Sequence, residues 1–147
     1  MRKLAGTRFG TIDIEEQSVI NLPSGLIGFA AETEFALLRF ERTRLAYLQS
    51  LATPGLALSV LDASVFGTAY PDPNAPALAS EAGLGDVPEI AVLVAVAQKP
   101  GDDRLYANLL APIVVDAQSR RAAQVVLDPE RYSTATLVPT EPAAPSP

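Results

Sequence analysis

The segment Ile90–Gln98 constrains the fold more than any other part of this chain of 147 residues. Its sequence, IAVLVAVAQ, is apolar at every position except the last. A strand with one face in solvent alternates apolar and polar residues, so this run indicates a strand buried on both faces, or one that closes a barrel-like core. The run is also much shorter than the roughly 20 apolar residues that a membrane-spanning helix needs. The fold must therefore cover this segment from two sides.

Short strand-like runs separated by glycine and proline turns occupy most of the remaining chain. They lie at residues 7–14, 19–22, 35–40, 45–51, 56–61, 105–115 and 123–127. Turn sequences between them are typical of an antiparallel meander of short strands. Pro112 has no N–H to donate, so the run that contains it should bulge there or meet an edge. We predict an all-β fold, mainly antiparallel, with a small barrel-like sheet.

One segment departs from the strand pattern. Residues 77–82 (ALASEA) are rich in alanine and contain no β-branched side chain, which predicts one short helix that ends at Gly83 or Gly85. Near the C-terminus the sequence is dominated by proline and alanine and has little to bury. We therefore expect a single domain over residues 1–135 and a disordered tail over residues 136–147.

Composition restricts the chemistry that the chain can perform. It has no histidine and no cysteine, which removes the usual groups of catalysis and of tight transition-metal binding. The net charge of −6 argues against binding nucleic acid through its phosphates. The lack of thiols suits a reducing compartment, and the N-terminal sequence has no secretory signal. We predict a cytoplasmic protein with no cofactor, no metal ion and no membrane contact.

The negative charge is concentrated in the middle of the chain. Acidic and basic residues balance within residues 1–60 and within residues 104–147, so the segment between them carries the whole net charge. Its seven carboxylates, opposed by Lys99 alone, are Asp62, Asp72, Glu81, Asp86, Glu89, Asp102 and Asp103. Such an acidic segment suggests a surface that meets a basic partner or repels nucleic acid. It can equally serve to keep a rather apolar chain soluble.

Local motifs give little support for a catalytic centre. The glycine spacing at residues 25–28 occurs in some RNA-binding loops, but no basic cluster flanks it here, which favours an ordinary turn. The acidic turns hold too few oxygens for a calcium loop. A hydrolase that uses two carboxylates among Asp62, Asp72, Glu89 and Asp102 stays open as an alternative, because the sequence fixes no separation between them.

Asn108 is the most conspicuous polar residue within an apolar run. Its side chain could bind the backbone of a partner. We favour a structural role, in which the amide satisfies a bulge beside Pro112, because buried amides are normally hydrogen-bonded.

Several motifs, in order along the chain, resemble those of the FliW family of flagellar assembly factors. Residues 20–29 (INLPSGLIGF) are similar to the family's FPxGIPGF segment, and residues 47–50 (YLQS) to its aromatic-LQS motif. Residues 107–114 (ANLLAPIV) match the family's most distinctive run almost letter for letter. The run QVVLD at residues 124–128 and then Tyr132 follow at the expected place. Matching pieces extend from Thr7 to about Tyr132, nearly the whole domain.

The chain differs from the family pattern at three places. Many relatives carry an FPDYE run followed by further acids, where residues 65–73 here read VFGTAYPDP, with fewer charges and added prolines. Ile27 replaces the family's usual proline, and Tyr47 takes the place of a frequent tryptophan.

The resemblance implies a non-enzymatic protein that acts by changing partners. Family members have a small β-barrel-like fold and bind flagellin in the cytoplasm. They also bind the translational repressor CsrA and remove it from the flagellin message, which couples flagellin synthesis to secretion. The implied partners are therefore flagellin and CsrA, with no direct contact to nucleic acid, and we expect a monomer when the chain is free. The alternative is a β-barrel interaction module with an unrelated partner.

We predict two sets of partner-binding residues. Leu26, Ile27 and Phe29 place large apolar side chains in a turn, and they either contact flagellin or plug one end of the barrel. Residues of the acidic segment, with the neighbouring tyrosine, are the candidates for contact with CsrA, where negative charge would disfavour RNA phosphate. They are Asp62, Tyr70, Asp72, Glu81, Asp86 and Glu89.

Overall fold

A computed structural model describes residues 2–40, 43–67, 70, 77, 80–84 and 89–139. Within these residues the chain forms eleven strands, which confirms the predicted all-β fold. The strands are β1 (Arg2–Thr7), β2 (Gly10–Ile14), β3 (Val19–Asn21), β4 (Glu34–Arg39), β5 (Ala46–Ser50), β6 (Ala57–Asp62), β7 (Ile90–Gln98), β8 (Leu105–Ala107), β9 (Ile113–Asp116), β10 (Ala122–Gln124) and β11 (Thr136–Leu137).

The strands pair antiparallel throughout the ladders of the described residues. Nine of them form one sheet in the order β10-β9-β7-β6-β5-β4-β3, with β8 beside β7 and β11 beside β8. The two ends of this path meet, because the Asn21 N–H donates to the Arg120 carbonyl at 2.9 Å and Asn21 forms an isolated parallel bridge with Arg121. The sheet is therefore barrel-like, and its seam between β3 and β10 is held by one bridge rather than by a ladder.

The long apolar strand β7 is buried on both faces, as its sequence predicts. Leu93 belongs to an interior core that also takes in side chains from β3, β4, β5, β6, β9 and β10. Val92, Val94 and Val96 belong to a separate core on the other face. The side chains of a strand alternate between faces, so an apolar residue at every position is what two-sided burial requires.

Irregular segments and a hairpin supply the outer layers. The β1–β2 hairpin covers the outside of β3 and β4, where Ile14, Val19 and Ala36 are buried together. The outer face of β7 is covered by the 3-10 turn Ala63–Phe66 and by residues that follow β10, among them Leu127 and Val138. The described residues thus form one core inside the curled sheet and two outside it.

The predicted helix over residues 77–82 is only partly observed. Ala77 is helical, residues 78 and 79 lie outside the described residues, and Ser80–Leu84 form one π-helical turn. Gly83 leaves the helical conformation with φ 103°, as expected for a glycine that ends a helix. The described residues also include the 3-10 turns Glu16–Ser18 and Ala63–Phe66, which were not predicted because they are too short to show a helical period.

The domain boundary also needs correction. Thr136 and Leu137 form β11 and pair with Ala107 and Tyr106, and Val138 is buried in an outer core. The ordered domain therefore runs to Val138 at least, three residues past the predicted boundary. Residues 140–147 lie outside the described residues.

Asn108 holds the turn between β8 and β9, where sequence analysis predicted a single bulged strand. Its side-chain Oδ1 accepts hydrogen bonds from the N–H groups of Leu110 and Ala111 at 3.1 and 3.2 Å. Its own N–H donates to the Ala95 carbonyl of β7 at 2.9 Å. This confirms the structural role next to Pro112, because the side chain satisfies two N–H groups that have left the ladder.

Replacing Asn108 with leucine should lower the free energy of unfolding by about 1–3 kcal/mol, because two part-buried N–H groups would lose their acceptor. Urea unfolding of the variant and the wild type measures this difference. Gln118→Leu is the matched control, since that side chain is exposed, and its effect should stay within about 0.5 kcal/mol. Unchanged stability of Asn108→Leu would contradict the structural role.

Gly25 allows the chain to turn tightly after β3. Its φ is +68°, and a Cβ built on it would lie 2.4 Å from the Ala30 carbonyl oxygen. Both the backbone conformation and the close approach exclude a side chain at this position.

A Gly25→Ala variant should lose more than about 1 kcal/mol of stability, because alanine is strained at positive φ and here also meets backbone. Gly55→Ala serves as the control, since nothing lies within 4 Å of its added Cβ and its φ is not in the left-handed range. Thermal melting of both variants gives the comparison. Equal melting temperatures would mean that the backbone around residue 25 adapts easily.

Candidate functional site

The apolar loop at residues 26–29 divides its side chains between the core and the surface. The N–H of Phe29 donates to the Leu26 carbonyl at 2.8 Å, and the return bond from Leu26 to Phe29 measures 3.3 Å. Leu26 is 4% exposed and packs into the interior core, whereas Ile27 is 62% exposed and Phe29 42%. The sequence left open whether this loop is a plug or a contact surface. Leu26 has the position of a plug, and Ile27 and Phe29 are free to meet another molecule.

Gln124 ties the apolar loop to the barrel. Its Oε1 accepts the N–H of Ile27 at 2.8 Å, and its Nε2 donates to the Ala111 carbonyl at 3.0 Å. Since Gln124 belongs to β10 and the loop follows β3, this side chain bridges the seam. Sequence analysis did not identify it as a site residue, although a glutamine beside the apolar run VVL was an available signal.

A cavity of about 170 Å³ opens beneath the loop. Its walls are the apolar side chains of Leu26, Leu58, Ala95 and Ile113. Asn108 and Gln124 add two amides, and Ile27 and Phe29 complete the lining. No charged residue lines it, so the loop and the cavity together form an uncharged, mainly apolar surface.

A second exposed patch, which the sequence did not predict, lies at the turn of the β1–β2 hairpin. The ring of Phe9 is 5.2 Å from that of Phe40 and 5.0 Å from that of Tyr47. The guanidinium of Arg8 lies 5.1 Å from the Phe9 ring and 5.0 Å from the Tyr47 ring, a cation–π arrangement. Phe40 remains 41% exposed. Phe9 and Phe40 are far apart in sequence, so only the packing of the hairpin brings them together.

Tyr70, one of the predicted contact residues, is buried in an outer core. Its hydroxyl donates to the Leu109 carbonyl at 2.9 Å, and its ring packs edge-on against Phe66 and Tyr132. Burial, together with the neighbouring Tyr132, raises the pKa of Tyr70 above its usual value. With its ring covered and its hydroxyl bonded, this side chain offers little surface to a partner.

The predicted acidic contacts are exposed where the structure describes them. Asp62, Glu81 and Glu89 are exposed, while Asp72 and Asp86 lie outside the described residues. Asp62 is the last residue of β6 and pairs with Leu93, and Glu89 lies just before β7 begins. Among the described residues, no hydrogen bond links these two carboxylates.

Asp102 is held by its own turn. Arg104 donates to its Oδ2 at 3.0 Å and the hydroxyl of Tyr106 to the same oxygen at 2.6 Å, and these hydrogen bonds keep the pKa of the carboxyl well below its usual range. A general acid needs a raised pKa, so this environment gives no support to a carboxylate hydrolase. Among the described residues there is no group of three or more acidic side chains that could hold a metal ion. No helix in that part of the chain has the length and apolar character needed to cross a bilayer.

Comparison with known proteins places the whole barrel in one family. The sequence model of the family described as FliW protein matches residues 3–138. The chain is 37% identical over 133 residues to the flagellar assembly factor FliW of Heliobacterium modesticaldum, covering 86% of this chain and 84% of the relative. It is 34% identical to that of Geotalea uraniireducens, covering 90% and 81% of the two chains.

A solved structure agrees with this assignment. The crystal structure of a flagellar assembly factor FliW superposes with a TM-score of 0.75 at 30% identity, covering 97% of this chain and 100% of the other. The matched range ends at Val138, which follows β11 directly and is buried in the outer core that covers β7. Sequence and fold therefore agree over the whole described barrel, and the chain belongs to the FliW family of flagellar assembly factors.

Proposed function

We propose that this chain is a non-enzymatic cytoplasmic protein that binds flagellin and antagonises the translational repressor CsrA. The observation that carries the proposal is the apolar loop, whose exposed Ile27 and Phe29 are braced by the buried Leu26 and by Gln124. Large apolar side chains on a rigidly supported loop are typical of a protein–protein contact. Flagellin and CsrA are the partners that the resemblance to the FliW family implies.

Flagellin is the partner that suits the apolar loop. Its terminal segments form amphipathic helices, so a helix laid in a groove or a strand added at an edge is a natural mode of contact. The loop and the cavity beneath it carry no charge, and they lie on a barrel whose core keeps them in place. A preorganised apolar surface of this kind loses little conformational entropy on binding.

Ile27→Asp should weaken flagellin binding at least about tenfold, or about 1.4 kcal/mol, because it places a charge at the centre of an apolar contact. The melting temperature should change little, since Ile27 is largely exposed and its N–H bond to Gln124 does not involve the side chain. Leu137→Asp is the matched control, because Leu137 is an exposed apolar residue on β11, away from the loop. Isothermal titration with purified flagellin measures the affinities.

Two results would contradict this assignment of the loop. If Ile27→Asp binds flagellin with unchanged affinity, the contact lies elsewhere on the surface. If the variant does not fold, Ile27 belongs to the plug that closes one end of the barrel. Co-purification from cells with and without flagellin extends the test, since the wild-type chain should recover flagellin and Ile27→Asp should not. If the wild-type chain recovers another protein instead, an unrelated partner is favoured.

CsrA antagonism is assigned to the acidic segment. A negative surface docked beside an RNA-binding protein raises the electrostatic cost of bringing phosphates near it. Asp62, Glu81 and Glu89 are exposed and available for this role. Asp62 also accepts the Ser64 N–H at 2.9 Å, a bond that asparagine can replace without loss of the turn.

Neutralising Asp62, Glu81 and Glu89 to the matching amides should reduce displacement of RNA from CsrA several-fold at low salt. The effect should fade as salt rises, because exposed charges act over a Debye length of about 8–10 Å at ordinary ionic strength. The control neutralises three exposed acids elsewhere, Glu15, Glu34 and Glu130, for the same change in net charge. If both triple variants displace RNA from CsrA equally well, the acidic segment serves only to keep the chain soluble.

A further inference from the structure

The cavity beneath the apolar loop contains one polar group that the fold does not use. Asn108 lines this cavity, and its Oδ1 already accepts from Leu110 and Ala111. Within the part of the chain that the structure describes, its Nδ2 donates no hydrogen bond. The amide is therefore fixed by its oxygen and keeps an unused donor on a residue that lines the cavity.

The second amide in the cavity differs in this respect. Gln124 uses both ends, accepting from Ile27 and donating to Ala111. Gln124 thus holds the loop in place, whereas the Nδ2 of Asn108 remains available as a hydrogen-bond donor. A site with one oriented donor and otherwise apolar walls can fix the position of a ligand that carries one acceptor.

The size and chemistry of the cavity indicate what this ligand is. Its volume of about 170 Å³ is close to that of an apolar cavity of about 150 Å³ that admits benzene. It can therefore take one side chain of the size of leucine or phenylalanine. A backbone carbonyl is the acceptor that always accompanies such a side chain, and in an extended segment that carbonyl is free, whereas in the middle of a helix it is already bonded.

We infer that this cavity receives one leucine- or phenylalanine-sized side chain from an extended segment of a partner protein, with Asn108 Nδ2 donating to a backbone carbonyl of the same segment. The identity of that partner, flagellin, rests on the proposed function. The inference adds the mode of binding: an uncharged extended segment enters beneath the apolar loop, and Ile27 and Phe29 close over it.

Two substitutions test the two parts of the site separately. Ala95→Leu fills the cavity from its wall, and Ala97→Leu is the control, because Ala97 is exposed on the same strand and does not line the cavity. Asn108→Asp keeps an oxygen for Leu110 and Ala111 but removes the donor, and Asn21→Asp is its control for the added charge. If Ala95→Leu fails to fold, Asn108→Asp alone carries the test.

The first measurement uses the capped amino acid N-acetyl-L-leucine N′-methylamide, which supplies the side chain and the carbonyl without any partner. We expect saturable binding at about millimolar concentration for so small a molecule, with a shift of the Asn108 side-chain resonance in amide NMR spectra. The alanine analogue should bind at least tenfold more weakly. Ala95→Leu and Asn108→Asp should each reduce binding at least tenfold, and both controls should match the wild type.

The second measurement repeats the titration with purified flagellin and separates the two claims. Loss of flagellin binding in Ala95→Leu and Asn108→Asp, with intact controls, supports the inference. Full flagellin binding by these variants overturns it while the proposed function stands. If the wild-type chain binds the capped leucine but not flagellin, the proposed function fails and the cavity remains a peptide site; no binding of the capped leucine to the wild type overturns the inference by itself.

Discussion

Two-sided burial of β7 is the constraint on which the other elements depend. The strand pairs with β6 on one side, over Leu93–Ala95, and with β9 and then β8 on the other, over Ile90–Leu93 and Val96–Gln98. Its side chains must also be kept from solvent, because each fully buried valine contributes about 1.5–3 kcal/mol to stability, and exposure would remove this contribution. Burial of the three valines on the outer face therefore contributes a free energy comparable to the net stability of a typical domain, about 5–15 kcal/mol. The sheet must curl to cover one face of β7, and irregular segments must wrap the other.

Features of the fold that depend on residues close together in the chain can be predicted from the sequence. The apolar run of β7, the short antiparallel strands and the structural role of Asn108 can all be read from residue spacing, because burial and hydrogen bonding leave a pattern in neighbouring residues. The boundary at residue 135 was wrong because Val138 is buried by residues distant in the chain. Tyr70 looked like a surface residue beside an acidic turn, and only the packing of Phe66 and Tyr132 around it shows otherwise.

The candidate site is also only partly predictable from the sequence. The apolar character of residues 26–29 is evident in the sequence, but not that Leu26 would turn inward while Ile27 and Phe29 stay exposed. Gln124 lies 97 positions away from Ile27, so their hydrogen bond follows from the curling of the sheet, which brings β10 close to the loop after β3, and not from any local motif. The acidic segment is visible in composition, yet Arg104 from outside it binds Asp102. The net charge of a sequence block is thus a poor guide to local charge where the block ends within a turn.

The seam between β3 and β10 has a consequence for motion. A ladder distributes its strength over many hydrogen bonds, but here the two edges meet through the Asn21 bridge and the side chain of Gln124. Local opening follows the weakest boundary, so the backbone amides of Asn21 and Ile27 should exchange with solvent through small fluctuations that leave β5, β6 and β7 paired. A molecule bound beneath the loop would contact Leu26 on one side of this boundary and Ile113 on the other. Occupancy of the cavity would then hold the two edges together and slow that exchange.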